Sequence, residues 1–437
     1  MKQLLSLLFG SFAFFTCSLS AQTDFAYIDQ TMSSSIRSVA FMLNGEPQLF
    51  PALQLNSDDV LLLSFDDVDA EVKNYVYSVY HCNQDWTPSD LSPLEYLDGF
   101  DEENISDVRF SSRTLMPYTH YEAVFPNYNM NVTKSGNYLL VVYENEYDKI
   151  PVLTRRFVVV ETMTGILPKN VRPVDVSQLH THQEIDFTVQ LLNVNVRNPL
   201  AEIKTTIIQN QRWDNAISGI TPKFVRGNDI VFDYQGQVVF PGGNEFRFID
   251  LRGLRTPQRD IEALFQGSEG FWEAQLAPIY GRGKGVYLSF ADFNGKFVLD
   301  NFDQPAATIN SEYIYTWITY EVEEPYYDSH LYLFGGLTEW LIKPEFKLVY
   351  NPAIHAYSGR FLLKQGYYNY HIVTVPSDTP KGAKKVPDIS RTEGNHSDTE
   401  NDYTILVYYR PFGGRYDQII GYRIFDTWGN PLQLLKR

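Results

Sequence analysis

Short runs in which aromatic and aliphatic residues alternate with other side chains limit what this 437-residue chain can fold into. Such runs predict strands at 75–81, 137–143, 155–161, 184–192, 312–322, 330–334 and 403–409. Glycine and proline recur between them, and no segment keeps an apolar stripe of 3.6-residue period over three turns. The sequence therefore predicts an all-β protein. The clearest helix signal covers 92–97, where Ser92 is a candidate N-cap, Pro93 fits the first helical position and Glu95 would complete a capping box.

A weak internal repeat organises these strands into domains. Gly136, Gly243 and Gly366 each precede an alternating strand that carries Tyr or Phe, and they lie about 110 to 120 residues apart. This pattern predicts three tandem immunoglobulin-like or early-set β-sandwich domains. Turn residues at 162–170 and 321–330 place the domains at 22–164, 165–324 and 325–437. The polar segment 376–402 is typical of a long exposed loop.

The first 21 residues have the pattern of a secretory signal peptide, with Lys2, an apolar stretch and small residues before Gln22. A lipoprotein signal acylated at Cys17 is the alternative, although the residues before Cys17 are bulky for it. After cleavage Cys82 is the sole cysteine, so no internal disulfide can form. No later segment is apolar over about 18 residues, which predicts a soluble exported protein.

The formal net charge is −17 at neutral pH, and removal of the signal peptide makes it one unit more negative. This charge disfavours nucleic acid and direct binding to acidic lipid head groups. It suits either solubility alone or a basic protein partner.

The run at 80–91 places His81, Cys82 and Asp85 close together in sequence and so raises the possibility of a cysteine enzyme. Neighbouring side chains of a strand point to opposite faces, so His81 cannot act as the base for Cys82. A base from elsewhere, such as His120, stays possible. A buried, unreactive Cys82 is the favoured interpretation.

Other candidate sites are weak. His180 and His182 could begin a metal site, but no third ligand is evident nearby. The acidic runs at 64–71 and 291–303 could bind calcium, yet solvated turns are favoured, with Asn294-Gly295 as a two-residue hairpin turn. We therefore predict no catalytic residue, no cofactor and no metal.

Aromatic residues near the loops of the first domain are candidates for contact with a protein partner. Packing of these loops onto their own aromatic residues is the alternative. In the third domain, Trp340 either stacks on a sugar or covers the end of the sandwich. The partner-contact candidates are Trp86, Tyr96, Phe100, Tyr118, His120 and Tyr121.

Several runs together resemble the type 9 secretion system plug proteins of the Bacteroidetes. In the first domain they lie at 65–100, which includes "YHCNQDWTPSDL" at 80–91, at 118–127, which begins with "YTHY", at 135–143 ("SGNYLLVVY") and at 153–161 ("LTRRFVVVE"). The resemblance continues through "EGN" at 393–395 and "TILVYYRPFGGRYDQIIGYRIF" at 404–425. The resemblance implies a non-enzymatic periplasmic protein that closes the periplasmic mouth of the giant outer-membrane translocon barrel and is held at the inner face of that membrane by the barrel. It brings no active-site residues. The alternative is a glycan-binding accessory protein that uses the third domain, which resembles early-set carbohydrate-binding sandwiches.

Overall fold

The structure is a computed structural model that describes residues 25–145, 147–256, 258–380 and 382–427. The predicted signal peptide, 1–21, and Cys17 lie outside the described residues. The described chain is nearly all strand, so the expected all-β class is confirmed. Its helices are single turns, and none of them could cross a membrane.

The elements follow one another in chain order. Up to residue 160 the strands are β1 Gln30–Thr31, β2 Ile36–Leu43, β3 Ala52–Gln54, β4 Leu61–Asp67, β5 Tyr75–Cys82, β6 Leu97–Gly99, β7 Glu102–Asn104, β8 Asp107–Phe110, β9 Thr119–Phe125, β10 Met130–Val132, β11 Gly136–Glu144 and β12 Ile150–Val160. From 164 to 250 they are β13 Thr164–Val171, β14 His182–Leu191, β15 Ile203–Gln209, β16 Ile217–Ile220, β17 Phe224–Arg226, β18 Asp229–Phe232, β19 Val239–Pro241 and β20 Arg247–Asp250.

The remaining strands lie after residue 260. They are β21 Ile261–Gln266, β22 Trp272–Leu276, β23 Ile279–Tyr280, β24 Phe297–Leu299, β25 Tyr313–Glu321, β26 Ser329–Phe334, β27 Lys347–Asn351, β28 Ala356–Lys364, β29 Gly366–Pro376, β30 Asp402–Tyr409 and β31 Gln418–Asp426. The α-helical turns are α1 Pro93–Tyr96, α2 Pro199–Glu202 and α3 Ala307–Asn310, and 3-10 turns span Val176–Gln178, Trp213–Asn215, Gly336–Thr338 and Pro344–Phe346.

The first sandwich is built from β1–β12. One sheet has the order β1-β12-β11-β5-β7, with β3 also paired to β12, and the other has the order β2-β4-β9-β8. Alternate residues of each strand enter one apolar core, for example Tyr75, Tyr77 and Val79 of β5. The predicted helix is confirmed as α1, where the Ser92 amide donates to Glu95 at 2.9 Å.

The second sandwich combines strands from distant parts of the chain. One sheet has the order β13-β14-β18-β17 with β19 on β14, and the other has the order β16-β15-β30-β31. In the latter sheet Ile207 of β15 lies opposite Ile405 of β30. Side chains from both sheets, such as Ile185 and Tyr403, share one core.

The inserted unit, residues 242–401, lies between β19 and β30. Its strands form one ten-stranded sheet, with the main path β20-β29-β26-β27-β28-β25-β22-β21. The first half of β27 pairs with β26 and its second half pairs with β28. The sheet closes over a core to which both halves contribute, for example Leu333 of β26 and Ile318 of β25.

This connectivity corrects the predicted segment 325–437. Residues 402–426 pair with β15 of the second sandwich and do not belong with the strands at 329–376. The expected order of three domains in a row is therefore wrong in its second half, because the third set of strands is inserted into the second sandwich. The predicted exposed loop at 376–402 also needs correction, since Thr392, Glu393 and Gly394 are buried.

Candidate functional surfaces and junctions

The His81-Cys82 pair has the geometry of strand packing. Cys82 is buried among Val76 and Leu139, on the face of β5 opposite the first core, and burial raises the pKa of its thiol to about 12. His81 faces Ser89, whose hydroxyl lies 2.9 Å from Nδ1, and burial lowers the pKa of the imidazole to about 4. The two side chains lie on opposite faces, as predicted, and cannot form a nucleophile–base pair.

Four of the six partner-contact candidates lie inside the chain. Tyr96, Tyr118, His120 and Tyr121 are all buried, so they present no surface to a partner in this fold. His120 and Tyr121 belong to β9 rather than to a loop. Their placement as contacts is therefore corrected, because the alternative of packing onto the chain's own aromatic residues applies to them. Phe100 is 65% exposed and stays a predicted contact.

Trp86 is half-buried at the junction between the first and second sandwiches. The Arg156 guanidinium lies 4.3 Å from the centre of its ring, and Trp213 of the second sandwich meets it edge-on at 4.9 Å. Cation–π and edge-to-face contacts of this kind stabilise buried interfaces. Trp86 therefore contacts the second sandwich, and its contact with an outside partner stays a prediction.

The turn that contains Trp86 also binds the second sandwich through polar groups. The Gln84 amide donates to Asp417 at 2.8 Å, and the Gln84 side chain donates to Thr206 at 2.9 Å. Tyr408 donates to Asn137 of β11 at 2.9 Å. An apolar cluster completes this junction, with Phe50, Ala52, Val158 and Val160 from the first sandwich and Ile208, Leu406, Tyr408 and Ile419 from the second.

A buried charged network joins the first sandwich to the inserted unit. The Asp66 carboxylate of β4 lies 2.6 Å from Nδ1 of His120 and 2.6 Å from the Lys364 ammonium of β28. It also accepts a 2.6 Å hydrogen bond from Tyr313 of β25. The Lys364 ammonium lies 4.1 Å from the ring centre of Tyr118, so the cation contacts an aromatic face as well.

The surroundings of Asp66 keep it ionised. Burial alone would raise the pKa of this carboxyl, but Lys364 and His120 lower it below its usual value. Burial also disfavours the charged imidazole, yet the carboxylates of Asp66 and Glu122 raise the pKa of His120. The structure thus corrects the interpretation of residues 64–71 as a solvated turn, since Asp66 and Asp67 end a buried strand.

Glu339 makes a second contact between the inserted unit and the first sandwich. Its carboxylate accepts from Arg155 of β12 at 2.5 Å and from the Thr31 amide at 2.9 Å, and it pairs with Lys343 at 2.5 Å. Burial would raise the pKa of Glu339, but Arg155 and Lys343 lower it to about 2. Glu339 and Trp340 both have φ of 58°, a strained conformation that these contacts hold in place.

Glu393 fixes the chain where it returns from the inserted unit. It pairs with Arg247 at 2.9 Å and with Arg282 at 2.7 Å, and it is fully buried. Burial would raise the pKa of this carboxyl, but the two guanidinium groups lower it to about 2. Asn244 donates to the Glu393 carbonyl at 2.7 Å, and Asn395 accepts from the Gly243 amide at 3.2 Å. These bonds therefore hold together the two segments that connect the second sandwich to the inserted unit.

Trp340 lines a groove of about 890 Å³ between the second sandwich and the inserted unit. The Arg212 guanidinium lies 4.7 Å from the centre of its ring, and Phe334 meets it edge-on at 5.4 Å. These contacts cover ring surface that a sugar would need for stacking. Glycan binding by Trp340 stays a prediction that its contacts do not favour.

The metal candidates show no ligand set in the described parts of the chain, where no group of three or more His, Cys, Asp or Glu side chains is arranged to hold an ion. Nδ1 of His182 lies 2.8 Å from the Thr181 hydroxyl. In the run at 291–303, Asn294 and Gly295 have φ of 50° and 80°, as a tight turn requires, but no described strand directly precedes the turn, so the predicted two-residue hairpin is wrong. Only the segment after this turn forms a strand, β24.

Comparison with known proteins places the chain in a family. Residues 36–161 match the family model described as type 9 secretion system plug protein 1st domain. A solved structure, titled as the crystal structure of a hypothetical protein from Parabacteroides merdae, is 30% identical in sequence to this chain. The alignment covers 91% of this chain and 99% of that one, with a TM-score of 0.85. The chain belongs to the type 9 secretion system plug protein family. A search of the curated proteins gave no match.

The plug-family runs found in the sequence lie at the junctions of the structure. The run at 80–91 docks the first sandwich on the second through Gln84 and Trp86. The run at 118–121 supplies Tyr118 and His120 to the network of Asp66, and the run at 393–395 closes the inserted unit. In this plug-family member these residues hold the units together.

Sequence reasoning missed Asp66, Lys364 and Glu393 as functional positions. A signal for two of them was present, because Asp66 follows the run 61–65, which is apolar except for Ser64, and Lys364 follows the apolar run 361–363. Charged residues adjoining such runs are rarely buried unless they are paired. Their partners come from different units, so only the fold shows which charges meet.

Proposed function

We propose that this protein is a non-enzymatic plug that seals the periplasmic mouth of the giant outer-membrane translocon barrel of the type 9 secretion system. Membership of the plug family supports this role. A barrel of more than about 26 strands encloses a lumen far too wide for side chains to fill. A folded body is needed to close it.

The observation that carries the proposal is the construction of the three junctions. Opening the contact between the first sandwich and the inserted unit would separate Asp66 from Lys364 and Arg155 from Glu339, all of which are largely buried. An unpaired buried charge is strongly unfavourable, so these contacts resist hinge motion. A stiff body suits a stopper, because a body that bends would leak around its edges.

The plug must also leave when cargo passes. Reversible closure favours a polar interface of standard size, about 1,600 Å² in total, over a large apolar one. The first sandwich carries the family match and the one partner-contact candidate, Phe100, that is well exposed. We propose that this sandwich faces the barrel.

The first experiment tests association. An affinity-tagged barrel is purified from native membranes of cells with and without cargo carriers, and the full-length plug is followed by immunoblot. We expect the plug to co-purify, with the larger amount in cells that lack the carriers. Cells that lack the barrel but carry the tag on another outer-membrane protein provide the control for non-specific capture.

The second experiment tests closure. Cells without the plug gene should admit bulky hydrophilic antibiotics or dyes that intact cells exclude. Wild-type plug supplied in trans should restore the barrier, and so should a Tyr327→Ala variant, since Tyr327 is 82% exposed on the inserted unit and lies outside the junctions. Unchanged permeability together with no co-purification would show that the proposal is wrong.

A further inference from the structure

The candidate docking surface begins with an unusual charge distribution. Residues 74–108 contain eight Asp or Glu residues and no Lys or Arg. Some of these acids are paired in the fold, for example Glu102 with Lys149 and Glu95 with Arg415. Asp98 and Asp101 are exposed and form no salt bridge among the described residues, although Lys149 interacts electrostatically with Asp101. Asp98 and Asp101 therefore place exposed negative charge at this end of the first sandwich.

Two exposed aromatic side chains lie in the same place. Phe100 is 65% exposed and Tyr128 is fully exposed, while Val124 beside them is 44% exposed. The Phe100 amide donates to the Asn129 carbonyl at 2.8 Å, which puts Phe100 next to the loop that carries Tyr128. We name Asp98, Phe100, Asp101, Val124 and Tyr128 the acidic aromatic patch.

The chain holds this patch rigidly although its side chains face solvent. The Glu103 carboxylate accepts from Asn127 at 2.6 Å and from Asn129 at 2.9 Å, so both neighbours of Tyr128 are fixed. Gly99 has φ of 103°, and a Cβ there would lie 2.1 Å from the Asn129 carbonyl oxygen. Only glycine lets the two loops approach this closely.

A large exposed aromatic side chain on a backbone that hydrogen bonds hold in place is suited to be a binding hot spot, because binding then need not order the loop. Nothing in the described chain covers Tyr128, which leaves its whole ring available to a partner. The exposed Asp98 and Asp101 add a preference for a positively charged partner.

We infer that the acidic aromatic patch is the docking surface for a protein rim that carries Lys or Arg side chains around an apolar recess. This inference rests on the proposed function and adds to it the docking face and the charge of the partner. The occupant is the periplasmic rim of the translocon barrel, with Phe100 and Tyr128 in the recess and Asp98 and Asp101 opposite its cations.

The test uses the full-length plug with a photoreactive residue at single positions in cells that contain the native barrel. Phe100→p-benzoylphenylalanine and Tyr128→p-benzoylphenylalanine are compared with the control Tyr327→p-benzoylphenylalanine, which is similarly exposed on the inserted unit. We expect both patch positions to cross-link to the barrel and the control position to give no product. Cross-links from position 327 alone would overturn the inference while the plug function stands.

A second measurement tests whether the patch contributes to binding or only lies near the barrel. The Phe100→Ala/Tyr128→Ala variant should bind purified barrel at least about tenfold more weakly than wild type, and Tyr327→Ala should bind as wild type does. Asp98→Asn/Asp101→Asn should weaken binding at low salt more than at high salt. Circular dichroism verifies that each variant is folded. Unaltered binding by the folded patch variants overturns the inference, and a wild-type plug that does not bind the barrel overturns the proposed function as well.

Discussion

The Asp66→Asn substitution gives the sharpest test of how the units are held together. Three donors converge on the Asp66 carboxylate at 2.6 Å each, from His120, Lys364 and Tyr313. Asparagine keeps the shape of the side chain but removes the negative charge, so the buried Lys364 ammonium loses its counter-charge. Because the three contacts share one carboxylate, the free energies lost with each of them are not additive.

Removing one partner of a buried ion pair costs about 3–5 kcal/mol, and we expect a loss in this range for Asp66→Asn. Adding Lys364→Met should recover part of it, because the unpaired buried cation is then absent. The free energy of unfolding is measured by urea denaturation at neutral pH, with circular dichroism and tyrosine fluorescence as separate probes. An early unfolding transition in which the first sandwich separates from the inserted unit would agree with the position of Asp66 between these two units.

The matched control is the exposed pair of Asp328 and Arg391, whose oxygen and nitrogen lie 2.8 Å apart. Water screens this pair, so Asp328→Asn should leave the free energy of unfolding unchanged. A loss below about 1 kcal/mol for Asp66→Asn, or no recovery in the double variant, would contradict the view that this network joins two units.

Three further predictions follow from the remaining buried groups. Glu393→Gln leaves two guanidinium groups without their counter-charge and should cost at least about 3 kcal/mol in urea unfolding, whereas an unchanged midpoint would contradict the role given to Glu393. Burial raises the pKa of Glu400 to about 7, so the stability that its neutral form gives is present near pH 4 and lost as pH rises through 7. Thermal unfolding at both pH values should therefore show that Glu400→Gln is more stable than wild type at pH 8 by about 1–2 kcal/mol and equally stable at pH 4. Cys82 should react with a thiol reagent only after denaturant is added, while a Tyr327→Cys thiol reacts at once in the native protein; fast native labelling of Cys82 would reopen the enzyme hypothesis.

Local patterns were enough to find seven of the strands and the helical turn α1. The run at 75–81 became β5, Tyr75–Cys82, and the run at 403–409 became β30, Asp402–Tyr409. Alternation also assigned the faces of β5 correctly, because a strand places successive side chains on opposite sides wherever it lies. Ser92 and Glu95 predicted α1 for the same reason, since capping depends on neighbours in sequence.

Pairing between distant segments could not be predicted in this way. No local feature of β15 indicates that its neighbour is β30, nearly two hundred residues later. The same limit applies to the candidate site. Tyr118 and Phe100 look alike in sequence as aromatic residues near loops, yet Tyr118 is buried against Lys364 of another unit and Phe100 is exposed. Which of them meets a partner is set by the packing of units, and single-residue patterns do not contain that information.

The interrupted second sandwich has a consequence for how the chain folds as it is made. As the polypeptide emerges from its N-terminus, the first sandwich has all its strands by residue 160, but β15 must wait with an open edge until residues 402–409 arrive. All residues from 210 to 401 must therefore emerge before that edge can be closed. A copy truncated before residue 402 would leave this edge of β15 unpaired, which favours aggregation over a smaller stable fold.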